Sequence, residues 1–397
     1  MGAAWFHFHR QRIAGVTILG DFLRPNPQGQ PGGVDGQVGW LHLAVRRQVE
    51  AACGMAPTLL SATECPALRG WIAAQRPPEA AADYWAARHG WVSPSGGLRD
   101  LLEPRLAGQF CIGYELPPYL TRLLGAMGLP YLDLRIHPVR FLDDLLFAAR
   151  ASDPRVAASL SDWAVPRDLA SAGAGLHEAA ARLHPRAARE PGALLVVGQR
   201  PNDATQIAEG AFFDAATRRV DIHRVCTASS AVLAKDHPSG ERHSLITEAL
   251  AARPDARLTR TSIYRLLADP GIDRVLTVNS SVACEAPFFG KPVTTLLPLP
   301  IQIAWRGETA GPGTHVTVGD GFLATDFWRD VLAPYARVSS HDGCRPAPKP
   351  NRLRVALDAA WGYEGAGHPA PRLDRAPLAW LMDPLPAELH AMAEPGG

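Results

Sequence analysis

The run Ala193-Leu-Leu-Val-Val197 carries no polar side chain, and Gly198-Gln199-Arg200-Pro201-Asn202-Asp203 follows it at once. A strand with one face in water alternates polar and apolar residues. A continuous apolar run belongs to a strand buried on both faces, as in a parallel sheet covered by helices. Ala231–Leu233, Val275–Val278 and Pro292–Leu297 are three further strand-like runs, each leading into a polar turn. Such a chain is of the α/β class. In open parallel sheets ligands bind outside the carboxyl ends of the strands, so the residues just after these runs carry the functional argument.

The first half alternates strand and helix as well. Arg12–Leu19 reads as a buried first strand, and the Gly-, Pro- and Gln-rich stretch Pro25–Gly39 as a long loop of the kind that often carries function. Leu41–Cys53 and Tyr84–His89 have helical spacing, and Gln109–Tyr114 and Tyr131–Ile136 are short strands. Pro118–Met127 is a helix opened by proline and closed before Gly128. Phe141–Arg150 and Leu176–Arg189 also read as helical. A break at Pro185–Pro191 divides the chain. The expectation is one α/β domain over 1–188 and a second over 189–345. Residues 346–397 form a helix at Leu353–Tyr363 and a Pro-rich tail, packing back on the first domain.

The formal net charge of +1 argues against a nucleic-acid partner. No apolar run approaches the ~18 residues of a membrane span, so membrane association would be peripheral. The N-terminus lacks the basic head and apolar core of a secretory signal. The six cysteines show no CxxC pair or zinc spacing and read as reduced thiols of a cytoplasmic protein.

Four clusters sit at predicted strand ends. In the first, Gln199 can donate and accept hydrogen bonds. Asp203 is either a nucleophile or base toward a sugar carbon, or a cap for a turn containing Thr205 and Gln206. In the second, Lys235-Asp236-His237-Pro238, the lysine and histidine suit a phosphate, or the histidine is an ordinary turn residue. In the third, Ser280 and Ser281 start a helix able to receive a phosphate, with Glu285 one turn on to accept ribose hydroxyls; capping is the plainer reading. The fourth joins Glu115, a general acid or base, to His137 and Arg140, which line the cleft or serve structure. Adjacent Asp143 and Asp144 read as a solvated or capping face and not as a metal pair.

Together the Q-x-x-x-D of Gln199–Asp203, the K-x-H-P of Lys235–Pro238 and the S-S-x-x-x-E-A…G-K-P-V of Ser280–Val293 resemble the capsule polysaccharide biosynthesis family, the KpsC/KpsS-like retaining β-Kdo glycosyltransferases. The resemblance is clearest over residues 190–300. It implies a GT-B-like fold of two Rossmann-like domains facing across a cleft. It implies a CMP-Kdo sugar-nucleotide donor, no cofactor or metal, a glycan or glycolipid acceptor on the N-terminal side, and capsule machinery at the inner membrane. Lys235, His237, Pro238, Ser280 and Ser281 would then hold the CMP phosphate and Glu285 the ribose. Asp203 would be the nucleophile beside Gln199, Glu115 the acid/base, and His137 and Arg140 substrate contacts. Asp236 would oppose a phosphate unless turned away. The other readings are a UDP-sugar transferase or 2-epimerase on the same fold, and a non-catalytic glycan-binding capsule assembly protein.

Overall fold

A computed structural model of the chain describes residues 12–340 apart from 76–77, 93–95, 186, 189–190 and 239, together with Trp5 and 351–357. Its strands are β1 (Gly15–Gly20), β2 (Thr58–Leu60), β3 (Gln109–Tyr114), β4 (Tyr131–Ile136), β5 (Phe147–Ala151), β6 (Ala193–Val197), β7 (Ile207–Ala208), β8 (Ala211–Phe212), β9 (Ala231–Lys235), β10 (Arg257–Leu258), β11 (Ile272–Thr277), β12 (Val293–Thr295), β13 (Gln302–Ala304) and β14 (Thr314–Thr317). They form two main sheets, in the orders β13-β14-β5-β4-β3-β1-β2 and β10-β9-β6-β11-β12, and a small β7-β8 ribbon.

The α/β class read from the sequence, with two sheet-based units, is the one observed. Every pairing in the five-stranded sheet is parallel. Its order is that of a dinucleotide-binding half-fold, with the chain stepping outward from β6 and then returning to its other side. The crevice of such a sheet lies where the order reverses, here between β6 and β11. All five residues of β6 are buried, with Leu195 and Val197 in one core layer and Leu194 and Val196 in the other. The first sheet is parallel over β2-β1-β3-β4, and β5 runs antiparallel to both β4 and β14.

Three expectations are corrected. Residues 141–150 are not a helix: Phe147–Ala151 is strand β5, which places Ala149 opposite Leu134. Its alanines favour a helix intrinsically, but a slot between two strands overrides that preference. The second domain does not run on to 345. After β12 the chain returns to the first sheet through β13 and β14, and the helix Thr325–Leu332 puts Phe327, Trp328 and Val331 in the first core. The helix expected from Leu41 starts at Asp35, so the functional-looking loop is shorter. That loop closes on itself: Gly33 N–H donates to Arg24 O at 2.9 Å and Pro25 bridges Pro31. A Cβ on Gly33 would lie 2.3 Å from Pro25 O, so only glycine fits there.

The segment Arg352–Ala356 is helical and packs back, with Leu353 in the first core. The Asp144 carboxylate caps this helix by accepting from Leu353 N–H (3.1 Å) and Arg354 N–H (3.0 Å). The buried Arg354 guanidinium donates to the carbonyls of Arg140, Leu142 and Asp143. The expected remainder of that helix, to Tyr363, lies outside the described residues. Among those residues no helix is long and apolar enough to cross a membrane, and Cys53, Cys65, Cys111, Cys226 and Cys284 are free thiols.

Candidate functional site

Because β9, β6 and β11 are adjacent and parallel, the turns after them emerge along one edge of the second sheet. That brings Gln199–Asp203, Lys235–Pro238 and Asn279–Ser281 together. Gln199 spans the crevice. Its Oε1 accepts from Asn279 N–H at 2.9 Å, and its Nε2 donates to Asn279 Oδ1 and Thr205 Oγ1, each at 3.2 Å. Asn279 in turn donates to Thr205 O at 2.6 Å. The Gln199 carboxamide thus joins two strand ends and holds the turn in place.

Asn202 adopts a left-handed conformation (φ 59) that reverses the chain and presents Asp203. Asp203 is the cap that its sequence allowed, with Oδ1 accepting from Thr205 N–H at 3.0 Å. Its Oδ2 makes no hydrogen bond among the described residues. His237 is half-buried, and burial pushes its pKa below the usual value; Asp203 opposes that shift, while Arg200 and Arg140 reinforce it. Lys235 ends β9 and Pro238 is exposed beside it. Asp236 is turned to Arg242, whose Nε donates to Oδ2 at 2.7 Å. Ser280 and Ser281 are half-buried at the turn into Val282–Glu285, with a long contact of 3.5 Å from Val282 N–H to Ser280 Oγ.

Glu285 corrects the ribose expectation. It is buried, and its Oε1 accepts from Arg140 N–H at 2.8 Å and from Tyr264 O–H at 3.1 Å. Burial pushes its pKa up to about 7 against the opposing pull of Arg140. Glu285 therefore joins the two units. His137 takes the structural role that the sequence allowed. Its Nδ1 accepts from Val139 N–H, its Nε2 meets Thr317 Oγ1 at 3.2 Å, and burial drops its pKa to about 3. It is a neutral structural residue at the back of a cleft of about 570 Å³ that Cys284, Phe288 and Trp305 also line. Arg140 sits at the junction of the units, where its backbone N–H reaches the Glu285 carboxylate.

The β7-β8 ribbon closes the site at one end. It leaves the second sheet after Asp203 and sets Phe212 against Trp85, with ring centroids 5.8 Å apart. Trp85 Nε1 donates to Asp21 Oδ2 at 2.7 Å, at the carboxyl end of β1. Strand register puts Gly20 beside Tyr114 and Tyr114 beside Leu134, so Asp21, Glu115 and Arg135 form a row along the first sheet's edge. Glu115 has φ 49, an unusual conformation for a non-glycine residue and a kind of strain that gathers at functional sites. Its Oε2 lies 3.9 Å from Arg24. Sequence reasoning gave no role to Asp21, Trp85 or Arg24, and placed Arg135 in the fourth cluster without one. The Gly20-Asp21 signal at the end of the first strand was the one available clue.

The chain matches no family model and no curated protein sequence. Among solved structures it is similar to Thermosulfurimonas dismutans KpsC, a beta Kdo 2,7 transferase, at 12% identity and a TM-score of 0.33. That match covers 61% of this chain and 90% of the other.

Proposed function

We propose that the protein is a glycosyltransferase that holds a sugar nucleotide on the carboxyl edge of the second sheet and an acceptor on that of the first. The supporting observation is the convergence of Asp203, His237 and Ser280 from three adjacent parallel strands beside the crevice between β6 and β11. In the finer form of this reading the donor is CMP-Kdo and transfer proceeds with retention. His237, Lys235 and the hydroxyls of Ser280 and Ser281 hold the phosphate. Asp203 Oδ2 attacks the anomeric carbon as its bond to the phosphate oxygen breaks, and the electron pair leaves with CMP. Glu115 then takes the proton of the acceptor hydroxyl, which attacks the same carbon and expels the Asp203 carboxylate. Two inversions give net retention.

The test is a comparison of CMP, UDP and GDP binding by thermal shift, followed by transfer assays with CMP-Kdo. Preferential stabilisation by CMP and turnover lost in Asp203→Asn are the expected results. Preference for UDP would turn the reading toward a UDP-sugar enzyme. Binding without turnover would turn it toward a glycan-binding assembly protein.

A further inference from the structure

The helix Asp168–Ala181 is apolar on two opposite sides. Its inner side packs into the protein: Ala170, Ala174 and His177 are buried, and His177 Nε2 meets the Phe141 carbonyl at 2.7 Å. A helix at a surface carries polar residues on its other side. This one carries leucines. Leu169, Leu176 and Leu183 follow one another at seven-residue spacing and are 46%, 72% and 84% exposed. Leu183 lies in the turn that extends the helix, where its N–H donates to Ala180 O at 3.1 Å. Ala172 and Ala179, three residues after the first two leucines, are exposed beside them. At about 3.6 residues per turn these five side chains make one stripe, on the side away from His177. Leucine and alanine alternate along it with the spacing of a coiled-coil seam.

The flank of the stripe has a pattern of its own. Asp168, Gly175 and Arg182 are exposed and share the seven-residue spacing. Asp168 and Arg182 stand about 21 Å apart along the helix, too far to pair with each other. Neither has an ion-pair partner among the described residues. Gly175 is midway between them. The nearby Gly173 is required by inward packing, since a Cβ there would lie 2.5 Å from Leu142 Cδ2. A Cβ on Gly175 would meet nothing within 4 Å. The single chain has no steric need of that glycine, and glycine inside a helix is destabilising relative to alanine. A second helix crossing at Gly175 would make use of the missing side chain by approaching closely.

We infer that this face binds a second copy of the same chain, the two helices running antiparallel about a two-fold axis near Gly175. That arrangement sets Asp168 of each copy opposite Arg182 of the other. A parallel arrangement would set like charges together. The antiparallel one also puts Leu169 against Ala179 and Leu176 against Ala172, large into small, as close packing requires. Leu183 reaches the start of the facing helix. The contact is self-complementary, as a two-fold interface must be. Three leucines and two alanines per copy give about 800 Å² in all, below the usual size of a stable interface, so the dimer is weak and depends on concentration. The inference is independent of the transferase reading.

The test is sedimentation velocity on the full chain from about 1 to about 300 μM. The wild type should pass from monomer toward dimer over that range. Leu176→Arg should stay monomeric with an unchanged melting temperature, because the residue is exposed. Gly175→Gln should weaken association about tenfold or more while holding or raising the melting temperature, since it removes a glycine from a helix interior. The charges decide the geometry. Asp168→Arg and Arg182→Asp should each weaken the dimer severalfold. The double variant, or a mixture of the two single variants, should restore it, because the opposed charges are again unlike. A wild type that stays monomeric throughout overturns the inference. So does a dimer that survives Leu176→Arg, since it would use another face. A monomeric wild type whose melting temperature falls in Leu176→Arg would mean that the chain itself covers the stripe, and overturns it as well. A double variant and a mixture that both fail to recover the dimer would overturn the antiparallel arrangement.

Discussion

The backbone N–H of Arg140 donates to the Glu285 carboxylate at 2.8 Å, tying a loop of the first sheet to a helix of the second unit. Tyr264 O–H completes the carboxylate's shell, and Arg354 holds the same loop from behind through the Arg140 carbonyl. The junction is therefore set by a buried acid whose charge is costly.

That cost gives the junction a pH dependence. The Glu285 pKa rises from an ordinary 4.5 to about 7 on folding, so between those values the folded protein binds the extra proton. Stability contributed by the protonated acid is present below pH 4.5 and is lost as pH rises through about 7. Glu285→Gln keeps the acceptor oxygen and removes the titration. Melting temperatures across that window should fall more steeply for wild type than for the variant; parallel curves would refute this.

Asp203 combines a structural oxygen with an uncommitted one, and the two roles separate by substitution. Asp203→Asn retains an oxygen for the Thr205 N–H, so stability should change by less than about 1 kcal/mol. Transfer should drop by about 10³-fold or more while CMP binding persists. Rates and melting curves measured on one preparation decide it.

Gln199 predicts the reverse. Removing its carboxamide in Gln199→Ala strands the buried Asn279 N–H and loosens Thr205, a cost of about 3 kcal/mol. Chemical denaturation should show that loss. Activity at low temperature should suffer far less than in Asp203→Asn, and a variant that is stable but inactive would restore the catalytic assignment.

His237 predicts how nucleotide affinity varies with pH. Burial holds the ring pKa below its ordinary 6.5, so at neutral pH it is uncharged. A bound phosphate favours the imidazolium, so CMP affinity should rise as pH falls from about 7.5 toward about 6. His237→Ala should weaken binding by about tenfold and remove that slope. A slope unchanged in the variant would show that another group titrates.

The buried strands were legible because their sequences leave no polar side for water. β6, β9 and β11 were placed from apolar runs alone, and the parallel arrangement then put their turns on one edge. β5 was not legible, because an Ala-rich stretch tells a helix from a strand only through its neighbours. Nor was the return of β13 and β14, three and four residues long, whose pairing with the first sheet is set by distant partners. Within the site, Asp203 and His237 were visible at strand ends. The duties of Gln199, His137 and Glu285 were not, because the partners that occupy them lie between 2 and 180 residues away in the chain.

The return of the chain to its first sheet bears on the order in which the protein is made. As the chain is synthesised, β5 emerges with one edge paired to β4 and the other open, and its partner β14 lies more than a hundred and fifty residues downstream. The whole second sheet, continuous from Ala193 to Thr295, is complete before that gap is filled. The first unit must therefore keep an open edge, a template for wrong pairing, while the second folds. A chain truncated near residue 300 would hold a finished second sheet and an unfinished first one, so aggregation through the β5 edge is the failure expected of that fragment.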